Sequence, residues 1–417
     1  MSEALSLRRM LVRSHRALPE DLPGMVRRAV RELGASDAVM FLVDHHQRVL
    51  APLSDERSPR RELIAVDGTL PGRAYSTMRA VAAVGGDASA WFPLVDGLER
   101  LGVVEIIGPG ELLNTRQAEL ADVAALLAEL VITRGMYSDT VERIRRREPM
   151  NLAAEMLRAQ LPPLTFATSN MVISGILEPA YDVGGDAFDF AVNGDVAHLA
   201  LFDAVGHGSQ SDLRAVMLAS IALAAYRNAR RAGYDLVATY HHIDAAARGF
   251  DRSGLITGVF GELDQRTGQL RVISAGHPSG IVLRQGKIAA VLPTPTALPV
   301  TLGEYRQPVV TRYSLEPGDD VLLYTDGITE ARSADGELFG LERLSDLAVR
   351  ALADDLPLPE IARRLVHAVI AHQDNRLQDD ATVLFVRWTG APDGGEDGRN
   401  EAPRNTGVED DTGHLRR

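Results

Sequence analysis

The sequence predicts an α+β protein of two domains, joined by a helical connection and followed by an unstructured acidic tail. Three observations carry that expectation. The chain has 417 residues, more than one ordinary domain needs. Helical spacing and strand-like runs of apolar residues alternate before residue 135, and a second such pattern begins after residue 163. Beyond Trp388 the chain turns to Gly, Asp, Glu, Asn and Pro with few large apolar side chains, so residues 390–417 cannot bury enough surface to order themselves.

Composition narrows the function classes. With 45% hydrophobic and 24% charged residues the chain can fill real cores, and its net charge of −13 argues against a generally basic nucleic-acid surface. An acidic protein that handles phosphate needs local countercharge, such as bound cations. Cysteine is absent, which excludes disulfides, thiolate zinc sites, cysteine-ligated iron–sulfur clusters and a cysteine nucleophile, and fits a cytoplasmic location. Charges interrupt the early chain, so no signal peptide is expected. No apolar run reaches the ~20 residues of a membrane span.

In chain order, Leu22, Met25, Val26, Val30 and Leu33 recur at helical spacing, and Gly34 supplies a stop. Strand-like runs follow at 38–43, 91–95 and 102–107, and a second helix is expected over 115–132. This order resembles a GAF-type sensory domain over residues 12–135, which implies a small-molecule or protein signal, or pairing as a homodimer. His45 and His46 read as a solvated turn between strands. Residues 136–163 carry an apolar stripe of Val141, Ile144, Leu152, Met156 and Leu157, interrupted by Pro149 and ended by Pro162 and Pro163. The stripe fits either a linker helix packed on its own domain or one that pairs with a second copy.

From residue 171 strands are expected at 171–176, 198–202, 258–263, 270–273, 281–283, 321–324 and 383–388, and helices at 212–226, 236–247, 341–352 and 358–372. Many strands with two clusters of helices imply sheets packed together and covered by helices. Aspartates appear where strands start or stop. Asp186 follows Gly184-Gly185, Asp203 ends the run Leu199–Phe202, Asp326 follows Val321–Thr325, and Asp379-Asp380 precedes the last strand. Four carboxylates within ~5 Å of one another would repel by roughly 3 kcal/mol per pair at an effective dielectric of ~20. Cations must neutralise such a cluster, and an all-oxygen set favours Mg²⁺ or Mn²⁺ over zinc. Two such ions sharing a water could lower its pKa and drive its in-line attack on phosphorus.

Together, Gly184-Gly185-Asp186, Asp203-Ala204-Val205-Gly206-His207-Gly208, Ala275-Gly276-His277-Pro278, Tyr324-Thr325-Asp326-Gly327, Gly336-Glu337-Leu338-Phe339-Gly340 and Asp379-Asp380-Ala381-Thr382 stand in the order typical of one family. Residues 150–390 closely resemble PP2C-like serine/threonine phosphatases of the bacterial SpoIIE and RsbU type. The resemblance implies a PP2C-like α-β-β-α sandwich over 164–389. It further implies that Asp186, Asp203 and the Ala204 carbonyl hold a metal pair completed by Asp326 and Asp379, with Asp380 the neighbouring alternative. Asp189 is expected either to reach a metal-bound water or to cap a helix or turn. The chain departs from the family in Ala187-Phe188, where an aromatic pair is common, and in Ala204-Val205, where Val-Ser is common. His207 and His277 invite a general-acid role but fit structural turns better. Arg214 and Arg332 are solvated by default, with phosphate contact the alternative, and Gly286-Lys287 lacks the spacing of a phosphate loop.

The function so implied is a metal-dependent phosphatase acting on a phosphorylated, STAS-type anti-sigma-factor antagonist under control of the N-terminal domain. A non-catalytic docking regulator and a metal-dependent phosphodiesterase are the competing readings.

Overall fold

A computed structural model describes residues 2–55, 61–82, 88–179, 181–182, 184–205, 211–292, 296–302, 307–354 and 356–391. Val183, the Gly206-His207-Gly208 segment and all but the first residues of the expected tail lie outside them. The chain divides into two compact units, one running to Arg147 and the other beginning at Glu148. Among the described residues no helix is long and apolar enough to cross a membrane.

The first unit contains α1 (Ser2–Ser14), α2 (Leu22–Glu32), β1 (Asp37–Val43), β2 (Val49–Leu53), β3 (Ile64–Ala65), α3 (Leu70–Thr77), β4 (Val81–Ala82), β5 (Ser89–Asp96), β6 (Glu99–Ile107), α4 (Gly110–Thr115), α5 (Gln117–Gly135) and α6 (Thr140–Arg145). Its antiparallel sheet has the order β3-β2-β1-β6-β5-β4. Alternation along β1 explains why that strand reads as a continuous apolar run. Ala38, Met40 and Leu42 face the α2–α5 core, whereas Val39, Phe41 and Val43 pack with Tyr75 and Trp91 on the other face. Strand β2 escaped the sequence reading because Pro52 interrupts its pattern.

His45 corrects an expectation. It is buried, its Nε2 lies 2.7 Å from Glu142 Oε1, and its amide donates to the Arg145 carbonyl. Helix α6 covers the β1–β2 turn and takes the place of solvent.

The second unit contains α7 (Leu152–Arg158), β7 (Thr165–Ala167), β8 (Met171–Glu178), β9 (Asp186–Asn193), β10 (Val196–Val205), α8 (Ser211–Arg231), α9 (Leu236–Phe250), β11 (Leu255–Asp264), β12 (Gln269–Ala275), β13 (Ile281–Arg284), β14 (Lys287–Val291), β15 (Thr311–Ser314), β16 (Asp319–Tyr324), α10 (Asp326–Thr329), α11 (Gly340–Ala353), α12 (Leu358–His372) and β17 (Ala381–Trp388). Two antiparallel sheets, β15-β12-β11-β10-β9 and β14-β13-β16-β17-β8-β7, pack face to face. The period-two pattern of β16 and β17 sorts their side chains. Val321, Leu323, Leu384 and Val386 enter the core shared with the first sheet, while Leu322, Tyr324, Val383 and Phe385 meet α11 and α12. Helices α8 and α9 cover the other sheet, which completes an α-β-β-α sandwich.

The apolar stripe of the connection is divided between the units. Val141 and Ile144 of α6 pack on the first core, and Met156 and Leu157 of α7 on the second. The segment around Pro149 is not helical, so no continuous helix presents the stripe as one face.

Candidate functional site

Each candidate carboxylate sits where a strand begins or ends. Asp186 opens β9, the outermost strand of its sheet, and is directly opposite Asp203 near the end of β10. Asp326 opens α10 immediately after β16, and Asp379 stands two residues ahead of β17, which pairs with β16. The sandwich thus gathers acids from four segments at one end of its two sheets.

Their charges act chiefly on one another. Burial first, then Asp203 and Asp380, pushes the Asp186 carboxyl well above the usual range. Burial and the charges of Asp326, Asp379 and Asp380 raise Asp203 to about 7. Asp326 is raised by burial and by Asp379. Among the described residues no three acidic or imidazole side chains meet round a single point. The four expected ligands are therefore neighbours rather than a finished cage.

Two devices hold them. Thr325 and Thr382 both donate through Oγ1 to Oδ2 of Asp186, at 2.7 and 2.5 Å, and the Thr382 amide donates to Thr325 Oγ1. One oxygen of Asp186 is committed to hydroxyls, which leaves Oδ1 for other partners. Asp380 is the second device. It is buried, and its Oδ2 accepts from the amides of Gly184, Gly185 and Asp186 at 2.8, 2.8 and 3.0 Å. These bonds oppose the burial that raises Asp380 to about 6.

The same bonds explain the glycines and expose an oxygen. A Cβ on Gly185 would stand 2.1 Å from the Ala204 carbonyl oxygen, and one on Gly327 would stand 1.9 Å from the Asp380 carbonyl oxygen. Ala204 N–H donates to Gly185 O, but Gly185 N–H turns to Asp380 instead of returning the bond. The Ala204 carbonyl is thus relieved of its ladder partner at the place where an oxygen ligand is expected. Buried acids that repel one another, together with a diverted carbonyl, are a donor set that fits a hard divalent cation.

Residues 193–389 match the family described as Stage II sporulation protein E (SpoIIE). The chain is thus similar to that family over just under half of its length, within the second unit. It is 24% identical over 282 residues to Protein IcfG of Synechocystis sp., covering 60% of this chain and 42% of that one. It is 22% identical over 269 residues to Phosphoserine phosphatase RsbU of Bacillus subtilis, covering 63% of this chain and 78% of that one. Among solved structures, the SiaA-PP2C domain of Pseudomonas aeruginosa is 24% identical, with a TM-score of 0.48 over 57% of this chain and 94% of that one. The chain spans less than half the length of IcfG.

Within the second unit the remaining candidates separate. Asp189 neither nears the acids nor caps a helix. It is buried on β9 and pairs with Arg227 and Arg230 of α8, each at 2.7 Å. Arg214 pairs with Asp251 and bonds Ser253, and Arg332 donates to the Gly336 carbonyl. Gln285 and Gly286, both at positive φ, form the tight β13–β14 turn. His277 is buried, and burial lowers its pKa to about 3 against a backbone contact with Tyr324 that raises it, which favours the structural-turn reading over a general acid. Thr257, Thr325 and Thr382 were not singled out by sequence reasoning. A hydroxyl beside an Asp motif was the only local signal, and Thr325 and Thr382 alone carry it.

Proposed function

We propose that the chain is a metal-dependent protein serine/threonine phosphatase whose substrate is a phosphorylated, STAS-type anti-sigma-factor antagonist. In this reading the N-terminal unit is a GAF-like sensory domain that controls it. The observation that carries the reading is the gathering of Asp186, Asp203, Asp326 and Asp379 into one mutually repelling group beside the Ala204 carbonyl. The resemblance to RsbU, described as a phosphoserine phosphatase, supports the substrate class.

Asp186, Asp203 and the Ala204 carbonyl would hold the metal pair, and Asp326 and Asp379 would complete its second site. Bound Mn²⁺ or Mg²⁺ supplies charge neutralisation for the phosphate and a water of lowered pKa. The protein's part is to orient. Thr325 and Thr382 fix the rotamer of Asp186, and Asp380 fixes the Gly184-Gly185 backbone against β10. With no cysteine in the chain, hydrolysis uses no thiol nucleophile of its own, and burial disfavours the His277 imidazole as the acid.

The decisive assay is phosphate release from phosphorylated STAS proteins of the same organism. Release is expected with Mn²⁺ and falls to background in Asp203→Asn, Asp326→Asn or chelator. Activity retained in both variants refutes the reading. One observation favours the docking alternative: among the described residues no three acids meet round one point. A Mn²⁺ titration separates the two readings, since a docking module binds no metal there.

A further inference from the structure

Residues 331–339 form a short hairpin between the two acids expected at the second metal site. Asp326 opens α10, which leads through Glu330 into Ala331, and a Cβ on Gly327 would stand 3.4 Å from the Cβ of Asp379. On the other side Gln378, the neighbour of Asp379, donates through Nε2 to the Arg332 carbonyl at 3.2 Å. The hairpin is fastened to the chain beside both acids.

Its own bonds fix its shape. The Phe339 amide donates to the Ala331 carbonyl at 2.8 Å, the Ser333 amide donates to the Glu337 carbonyl at 2.9 Å, and Arg332 bridges to Leu338. Cross-strand partners leave the same face of a hairpin about 5 Å apart, and successive residues leave opposite faces. Phe339 accordingly turns into the core, 3% exposed and edge-on to His372 of α12, whereas Leu338 turns outward beside Arg332 and is 44% exposed. His372 Nε2 also lies 2.9 Å from the Glu337 carbonyl oxygen, which ties down the returning strand. The outward leucine is held in place and cannot fold back to bury itself.

The charge of this face runs against that of the chain. The protein carries −13 overall and gathers aspartates at its site, so an anionic phosphoprotein needs local cations in order to approach. Arg332, whose carbonyl Gln378 holds, and Arg376, two residues before Gln378, are exposed and pair with no acid among the described residues, whereas Arg343 is engaged by Glu337. Arg332 Nη1 donates to the Gly336 carbonyl at 3.3 Å, so its guanidinium lies along the hairpin rather than among the aspartates. We propose that this face docks the phosphoprotein substrate. Leu338 receives an apolar side chain of the partner, and Arg332 and Arg376 receive acidic residues around it, while the phosphorylated residue enters the acid cluster. The proposal rests on the phosphatase reading above and adds to it the surface that recognises the substrate protein.

Steady-state kinetics of the full chain with Mn²⁺ test the face on two substrates. One is a phosphorylated STAS protein of the same organism, and the other is p-nitrophenyl phosphate, which carries a phosphate but no protein surface. Leu338→Ser and the double variant Arg332→Ala/Arg376→Ala should each raise KM for the phosphoprotein about 10-fold with kcat unchanged. Neither should alter KM or kcat for p-nitrophenyl phosphate. Arg332→Lys/Arg376→Lys keeps the charge and should stay near wild type. Added salt should raise the phosphoprotein KM of the wild type more than that of the double alanine variant. The three side chains are exposed and Gln378 bonds the backbone of Arg332, so every variant should melt with the wild type. Equal KM in all variants, or equal losses on both substrates, overturns the docking face and leaves the phosphatase reading intact. A wild-type chain that hydrolyses p-nitrophenyl phosphate but not the phosphoprotein overturns the partner and the docking face with it. One that hydrolyses neither overturns the phosphatase reading as well.

Discussion

Asp379 and Asp380 are adjacent in sequence and opposite in environment. Asp379 is exposed, whereas Asp380 is buried with three backbone amides on one oxygen. Asp379 is thus the candidate ligand and Asp380 the anchor of the glycine loop. Asparagine at 380 keeps an acceptor for the amides, so Asp380→Asn should retain most Mn²⁺ affinity by calorimetry, while Asp379→Asn loses about 10- to 100-fold. The reverse order would exchange their roles. The raised acids also set a pH dependence. Asp203 titrates at about 7 in the fold against 3.8 in its ordinary state, so between those values the folded, metal-free chain holds a proton that the unfolded chain has lost. Stability from this group is full below about 4 and disappears as pH rises through about 7. Metal-free melting temperatures should therefore fall between pH 5 and pH 8 more steeply in the wild type than in Asp203→Asn, which has no such proton to lose. Equal slopes would show that Asp203 is not raised.

Strands β9 and β10 and helix α8 show how the elements around the site are tied down. Asp189 fastens β9 to α8 through Arg227 and Arg230, residues 38 and 41 positions further along the chain. Breaking a buried pair leaves charge without its partner, so Asp189→Asn should cost about 3 kcal/mol in denaturant unfolding. Its Mn²⁺ affinity should stay at the wild-type value, and a loss of affinity without loss of stability would return Asp189 to the metal site. What the sequence revealed follows the same division. Strand β16 was legible because four apolar residues run straight into Thr325-Asp326-Gly327, a local signal. Strand β9 was not, because it opens on one buried acid and carries another whose partners lie on a later helix. The Thr325–Thr382 clamp joins residues 57 positions apart. His45 was misread for the same reason, since Glu142 comes from a helix 97 positions away. Motif order located the acids, but only the fold shows which hydroxyls, amides and arginines restrain them.

At the scale of the whole molecule, each unit fills its own cores, so the catalytic candidate should not need the N-terminal unit in order to fold. Residues 148–391 alone should melt cooperatively and bind Mn²⁺ with the affinity of the full chain. The control proposed for the N-terminal unit then needs a route into the site. The first helix after the division supplies one. Asn151 caps α7 by accepting from the Ala154 amide at 2.7 Å, while its own amide donates to the Tyr181 carbonyl and its side chain donates to Asp182. Tyr181 and Asp182 lie just ahead of Gly184-Gly185, the backbone that Asp380 holds. Asn151 therefore ties the start of the second unit to the residues just ahead of the loop that presents Asp186. Asn151→Ala in the full chain should cost about 1 kcal/mol through the lost cap. It should also weaken Mn²⁺ binding, because it releases the loop as well as the helix. A variant that loses only stability would mean that Asn151 holds α7 alone, and the proposed control would need another path.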